Sequence, residues 1–266
     1  MKSLKVLLTA LPLLLASAVQ AAEWRDSPAV GAVFRSADLH GTFVLYDVAA
    51  DRYTVHDRER ARTRFAPAST FKIPNTLIGL TVGSVKSVDE VLPYGGGKQR
   101  FKAWEQDMHL RDAIKVSNVP VYQELARRTG LERMREQLAR LDYGNRDTGT
   151  VVDRFWLDGP LKISAEEQTR FLARLAQDAL PFPKAAMAAT REIALVERTP
   201  VYALHAKTGR TLADEHDLGW WVGWVEKGGK LYAFALNADM ASDADAPKRI
   251  DVARASLRAL GVLPAE

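Results

Sequence analysis

The chain contains no cysteine. That absence excludes disulfides, thiolate metal sites, thiol redox centres and a cysteine nucleophile. Five histidines are present, His40, His56, His109, His205 and His216, but none falls in an H-E-x-x-H or other ligand spacing, so the sequence calls for no metal. The 37 basic and 33 acidic residues nearly balance, and no lysine–arginine run is interleaved with aromatics. Nucleic-acid binding therefore gains no support. Internal repeats and low-complexity linkers are missing as well. No apolar run reaches the roughly 20 residues of a membrane span, so no stable membrane anchor is expected.

The one long apolar run lies at the start. In MKSLKVLLTALPLLLASAVQAAEW, Lys2 and Lys5 precede an apolar stretch from Val6 to Ala16, and Val19-Gln20-Ala21 supplies a small-residue cleavage site. This is the pattern of a secretory leader, residues 1–21, cleaved near Ala21/Ala22 to give an exported, periplasmic protein. The leader removes two lysines and no acid, leaving a net charge of about +2 from the stated +4. That small excess suits solubility better than a polyanionic partner. An exported chain without disulfides relies on its core, and about 245 residues at 47% apolar content are enough to build one.

Residues 22–266 read as a single domain. Thr42–Val48 and Arg52–His56 alternate like the strands of a hairpin, and YALHAKTG and LGWWVGWVEKGGKLYAFALNADM are β-type, with Gly228-Gly229 at a turn. From about 69 to 185 the pattern is helical, with Gly130 between two helices, and a last helix opens at Pro247. Strands at both ends with helices between them predict an α+β fold: an antiparallel sheet built from both chain ends, flanked by terminal helices, with an inserted all-helical region. A cleft between sheet and helical region is the natural place for a site.

The sharpest local signal is PASTFKIPNTLIGL, in which Ser69 and Lys72 stand three apart among Phe71, Ile73, Leu77 and Ile78. Residues three apart share a helix face, so the amine can reach the hydroxyl. A serine needs an adjacent base to become a nucleophile, and a lysine serves as that base only when desolvation lowers its pKa or when it is chemically altered. Pro74 removes a helical N–H and leaves the local geometry open. Alone, S-x-x-K is a weak motif. Ser117-Asn118-Val119 follows, before Pro120, where the preceding helix is expected to end or turn. Lys207-Thr208-Gly209 then closes a strand, offering a cation, a hydroxyl and a glycine that permits close ligand approach along a sheet edge. The three motifs in this order are those of penicillin-recognising serine enzymes.

With YGN at Tyr143-Gly144-Asn145, FWLDGPLKIS at 155–164 and WWVGWVE at 220–226, the chain resembles the class D, or oxacillinase-type, serine β-lactamases over essentially its whole mature length. It has no E-x-x-L-N stretch of the class A kind. The resemblance implies that Ser69 is acylated by the β-lactam and that Lys72 takes up carbon dioxide, from bicarbonate, to become N6-carboxylysine and the general base. It implies that Trp156 holds the carbamate, Val119 and Leu157 wall the pocket, and Ser117 relays a proton to the leaving nitrogen. Lys207, Thr208, Gly209 and Arg249 would bind substrate and its carboxylate, with Lys248 or Arg254 as alternatives to Arg249. The backbone N–H groups of Ser69 and Arg210 would form the oxyanion hole. Tyr122 and Trp104 are candidates for the cleft rim, although packing is the commoner use of such aromatics. His205 shares a strand face with Lys207, but a structural or merely exposed role is expected of it, and Tyr143 has a class-specific setting. The tryptophans 220, 221 and 224 read as core. Three alternatives stay open: a penicillin-binding peptidase or a β-lactam sensor, either acylating without rapid turnover, and a non-catalytic wall-binding module.

Overall fold

The computed structural model describes residues 22–211 and 217–265; the leader at 1–21 and His216 lie outside the described residues. The strands are β1 (Glu23–Asp26), β2 (Gly41–Asp47), β3 (Arg52–His56), β4 (Val91–Leu92), β5 (Met108–His109), β6 (Leu195–Arg198), β7 (Tyr202–Arg210), β8 (Leu218–Lys227) and β9 (Lys230–Asp239). The helices are α1 (Pro28–Ser36), α2 (Arg58–Arg62), α3 (Lys72–Thr81), α4 (Leu110–Ala113), α5 (Val119–Thr129), α6 (Leu131–Leu141), α7 (Ala165–Ala176), α8 (Lys184–Ile193) and α9 (Lys248–Ala259). Seven strands form one sheet in the order β1-β3-β2-β9-β8-β7-β6. The two chain ends meet where β2 pairs antiparallel with β9, from Gly41↔Ala238 to Asp47↔Tyr232.

The α+β architecture expected from the sequence is present, with two local corrections. β1 pairs parallel to β3, so the sheet is mixed. The chain leaves β1 through α1 and the β2 strand, a crossover long enough to bring β3 alongside in the same direction. Trp24 stacks on Tyr53 at 4.5 Å and Tyr53 on Tyr46 at 4.5 Å, which ties the short edge strand to its neighbours. The inserted region also differs from the expected all-helical stretch at 69–185. It carries the small β4–β5 ribbon and continues through α8 to Ile193.

Local chemistry accounts for the boundaries that matter. Gly130, at φ +81, stops α5 and opens α6. Gly228 and Gly229, at φ +55 and +73, make the two-residue turn between β8 and β9. A capping box between Ser164 and Glu167 starts α7. The helix before Pro120 ends as expected, α4 at Ala113, and Pro120 itself belongs to the next helix. It sits in the first turn of α5, behind the Asn118 cap, where a missing N–H costs nothing.

The sheet has two dry faces. On one, Phe43, Leu204, Trp221 and Phe234 pack against α1 and α9; on the other, Val44, Trp220, Val222 and Trp224 pack against the helical region. The three tryptophans are core, as expected. Alternation along β7 sends Leu204 and Ala206 to the terminal helices and leaves Lys207 and Gly209 on the opposite face.

Candidate active site

The serine–lysine pair sits on a junction. Ala68–Phe71 is a 3-10 turn, and α3 begins at Lys72. In 3-10 geometry side chains three apart eclipse, and Lys72 Nζ lies 3.0 Å from Ser69 Oγ, donating to it. Pro74 falls in the first turn of α3, where its missing N–H needs no partner. Ala68 takes a left-handed conformation at φ +48, which costs a side-chain-bearing residue roughly 1–2 kcal/mol. Its N–H donates to the Trp156 carbonyl at 2.9 Å, while the Ala66 carbonyl accepts the Trp220 indole N–H at 3.0 Å.

Lys72 is completely buried, and its Nζ lies 5.1 Å from the centre of the Tyr122 ring. Burial first, and the charge of Lys207 second, hold its pKa well below the ordinary lysine range. Tyr122 does not line the rim: it is fully buried, with its hydroxyl 2.9 Å from that of Thr76, which donates to the Lys72 carbonyl at 2.9 Å. Trp156 is also fully buried, stacked on Phe71 at 5.2 Å. Its indole N–H has no hydrogen-bond partner among the described residues. An orphaned buried donor is costly, and this one, on a ring stacked against Phe71, the neighbour of Lys72 in the chain, is open to a small anionic group.

β7 brings the second half of the site. Lys207 Nζ donates to Ser117 Oγ at 2.7 Å, to the Thr208 carbonyl at 2.9 Å and to Thr208 Oγ1 at 3.2 Å. Ser117, at φ +57, occupies a strained left-handed conformation just ahead of the Asn118 cap of α5. Burial and the nearby Arg249 charge lower the Lys207 pKa to about 7. Thr211 N–H donates to the Leu218 carbonyl, and Ala206 N–H donates away from β8, to the Ala194 carbonyl. Antiparallel alternation therefore turns the N–H groups of Thr208 and Arg210 toward the edge that β6, whose pairing starts at Leu195↔His205, leaves uncovered.

Gly209 has a packing reason that the motif did not suggest. A Cβ there would stand 3.0 Å from the Pro67 carbonyl oxygen, 3.0 Å from Thr70 Cγ2 and 3.3 Å from Thr70 N. The glycine admits the Ser69 turn against β7.

Arg249, near the start of α9, leaves its Nε and Nη1 buried without a partner, and burial followed by the Arg210 charge lowers its pKa. The two alternatives are engaged elsewhere: Lys248 pairs with Asp245 at 2.9 Å and Arg254 with Glu197 at 2.6 Å. Arg210 itself is neutralised by Asp217 at 2.6 Å and Asp243 at 2.5 Å. Lys72, Lys207 and Arg249 make no ion pair with a carboxylate among the described residues. Lys207 and Arg249, both depressed by burial and Lys207 also by the charge of Arg249, pair with no acid among the described residues and make a site for anions.

Val119 opens α5 and Leu157 follows Trp156, both half-buried. Trp104 is half-buried too, donating to the Val116 carbonyl at 2.9 Å and meeting Phe101 edge-on at 4.8 Å, beside the Ser117 segment. His205 stacks on Trp224 at 4.4 Å and its Nδ1 lies 2.9 Å from the Arg191 carbonyl, a packing role. The YGN stretch holds the loop that bears Trp156. Asn145 donates to the Pro160 carbonyl at 2.8 Å and accepts from Lys162 N–H at 2.9 Å, and a Cβ on Gly144 would collide with the Lys162 carbonyl at 2.1 Å. Sequence reading missed Thr70, Ala66 and Gln168, whose hydrogen bonds fix the serine turn from behind. Among the described residues no group of His, Cys, Asp or Glu is placed to hold a metal ion, and no helix is long and apolar enough to cross a membrane.

A sheet fed by both chain ends, with a serine–lysine turn facing a Lys-Thr-Gly strand, defines the penicillin-recognising serine fold. Residues 41–258 match the family model of the penicillin-binding protein transpeptidase domain. The β-lactamase OXA-5 of Pseudomonas aeruginosa is 42% identical over 233 residues, covering 86% of this chain and 87% of that protein. OXA-48 of Klebsiella pneumoniae is 40% identical over 220 residues, 83% of each. The crystal structure of FUS-1 (OXA-85), a class D β-lactamase from Fusobacterium nucleatum subsp. polymorphum, superposes with a TM-score of 0.87 at 42% identity, covering 90% of this chain and 100% of that one. The chain belongs to the class D serine β-lactamases, and its activity is serine-dependent β-lactam hydrolysis.

Proposed function

We propose that Ser69 is the residue acylated by the β-lactam and that Lys72, N-carboxylated by carbon dioxide, is the proton acceptor for both halves of the reaction. The observation that carries this reading is a fully buried Lys72, 3.0 Å from Ser69 Oγ with its pKa held well below the lysine range, together with the unpartnered N–H of Trp156. Only a neutral amine attacks carbon dioxide, and Trp156 Nε1 would hold the product. When present, the carbamate supplies an anionic base that the bare amine does not.

The chain's own groups do the rest. Ser69 Oγ gives up its proton toward the Lys72 side and attacks the lactam carbonyl carbon. The carbonyl oxygen gathers negative charge between the N–H groups of Ser69 and Arg210, each donor contributing about 3 kcal/mol to the transition state. As the C–N bond breaks, Ser117, hydrogen-bonded to Lys207 Nζ at 2.7 Å, passes a proton to the leaving nitrogen. Lys207, Thr208 and Arg249 bind the substrate carboxylate, an anion suited to their unneutralised charge. Val119 and Leu157 wall the pocket over the lysine. Water, deprotonated on the same Lys72 side, then attacks the ester carbon and returns Ser69 Oγ to its hydroxyl. Residues 22–266 are read as the mature domain, exported to the periplasm after cleavage of the 1–21 leader.

Nitrocefin hydrolysis by the purified mature chain tests the reading. Ser69→Ala should abolish turnover, and Lys72→Ala should slow acylation as well as deacylation in stopped-flow traces. Residual full turnover in Ser69→Ala would instead favour chemistry elsewhere on the molecule. Acylation without release in the parent would favour the peptidase or sensor alternatives.

A further inference from the structure

The Ser69 turn is strained at Ala68 and gripped from behind by a polar chain that the reaction, as read above, does not use. Gln168, on α7, is almost fully buried, and its Nε2 donates to Thr70 Oγ1 at 2.9 Å. Thr70 Oγ1 donates in turn to the Pro67 carbonyl at 2.7 Å, which also accepts Thr70 N–H at 3.1 Å. A hydroxyl has one proton. Because the Thr70 proton is committed to Pro67, the hydroxyl must accept from Gln168, and that fixes which way the amide points. Tyr143 OH closes the other end at 3.5 Å from Gln168 Oε1. The Pro67 carbonyl at the head of this chain is the atom that a Cβ on Gly209 would meet at 3.0 Å, one residue from Arg210. The chain thus runs from α7 to the seam between the two oxyanion donors.

We propose that Gln168 is a positioning residue for acylation: acting through the Thr70 hydroxyl, its amide holds the Pro67–Thr70 turn in the strained form that sets Ser69 against the Arg210 N–H. The inference rests on Ser69 being the acylated residue. A left-handed alanine persists only where its surroundings over-determine it. Here the Ala68 N–H bond to Trp156 fixes one side of the strained residue and the Gln168–Thr70–Pro67 chain fixes the other. Releasing the second lets the turn relax, which displaces Ser69 Oγ without touching the carboxylate-binding groups on β7.

The test is stopped-flow acylation by nitrocefin, giving the pre-acylation Kd and the acylation rate constant separately. Gln168→Met, close in shape but with no donor, should lower the rate constant by about 10-fold or more while Kd holds within about 2-fold, as expected of a small misplacement. Thr70→Val should show the same split, and the double variant should be no slower than either alone. Gln168→Glu adds a pH signature. Protonated, the buried acid still donates to Thr70; ionised, it takes the Thr70 proton away from Pro67. The variant-to-parent rate ratio should therefore fall as pH rises.

Parental acylation in Gln168→Met would overturn the proposal. So would additive loss in the double variant, a Gln168→Glu ratio flat with pH, or Kd and rate falling together. If Gln168→Met does not fold, Thr70→Val and Gln168→Glu decide alone. Ser69→Ala run alongside separates the two readings: turnover there removes the nucleophile assignment itself, whereas an inert Ser69→Ala beside a fast Gln168→Met removes only the role of Gln168.

Discussion

Trp156→Phe removes the indole N–H and part of the ring that carries it. The phenyl ring keeps the stack on Phe71, now 5.2 Å away, and the edge contact with Phe155, now at 4.9 Å, but loses the buried N–H that has no partner. Bonded to an anionic carbamate, that donor is a charge-assisted hydrogen bond, contributing about 1.5–3 kcal/mol. Its loss should weaken carbon dioxide capture by about 10- to 150-fold, since 1.4 kcal/mol is about a factor of ten. In the carbamate-free protein the sign reverses, because an orphaned donor costs about 1–3 kcal/mol and the variant sheds it. The smaller ring leaves a cavity of comparable cost, so Tm without bicarbonate should move little. Tm with saturating bicarbonate should rise in the parent more than in the variant. The assay is initial nitrocefin rate against bicarbonate concentration in degassed buffer below pH 7. The half-saturating concentration should rise 10- to 150-fold in the variant, with most of the rate recovered at saturation. An unchanged half-saturation point would show that the indole N–H does not hold the carbamate.

Arg249→Ala removes a charge that helps push Lys207 down to about 7. Lys207 is a cation below its pKa, so parental KM for anionic substrates should rise as pH climbs through about 7. The variant should show higher KM at every pH, by about 10-fold from one lost charge-assisted contact, with its alkaline limb displaced upward. A limb that stays put would remove Arg249 from the neighbourhood of Lys207. Gly209→Ala places a Cβ 3.0 Å from the Pro67 oxygen, tighter than a packed backbone accepts without shifting. Parting β7 from the serine turn should cost acylation about 10- to 100-fold, read in single-turnover traces; a parental rate would mean that the seam is loose.

The sequence made the chemistry legible because three short motifs carry it, and hydrophobic periodicity placed those motifs on a strand and at helix starts. What it hid was long-range. Gly209 was legible as part of a motif, but not as the gap that admits a turn from about 140 residues earlier in the chain. Tyr122 looked like rim because it stands near a helix end, but α5 packs it beneath Lys72. Gln168 carried no signal, since an amide on an amphipathic helix reads as an exposed residue until tertiary packing buries it. The parallel β1 strand was equally invisible, because local alternation says nothing about which neighbour a short edge strand selects. YGN and the Trp156 stretch were legible as separate signatures, and only the folded chain joins them through Asn145.

Carbon-13 NMR of the purified enzyme equilibrated with labelled bicarbonate addresses the central claim most directly. A carbamate resonance should appear in the parent during full activity, vanish in Lys72→Ala, and fade as acid reprotonates Lys72 in step with lost turnover. An enzyme that hydrolyses nitrocefin at its full rate with no such resonance would contradict the account.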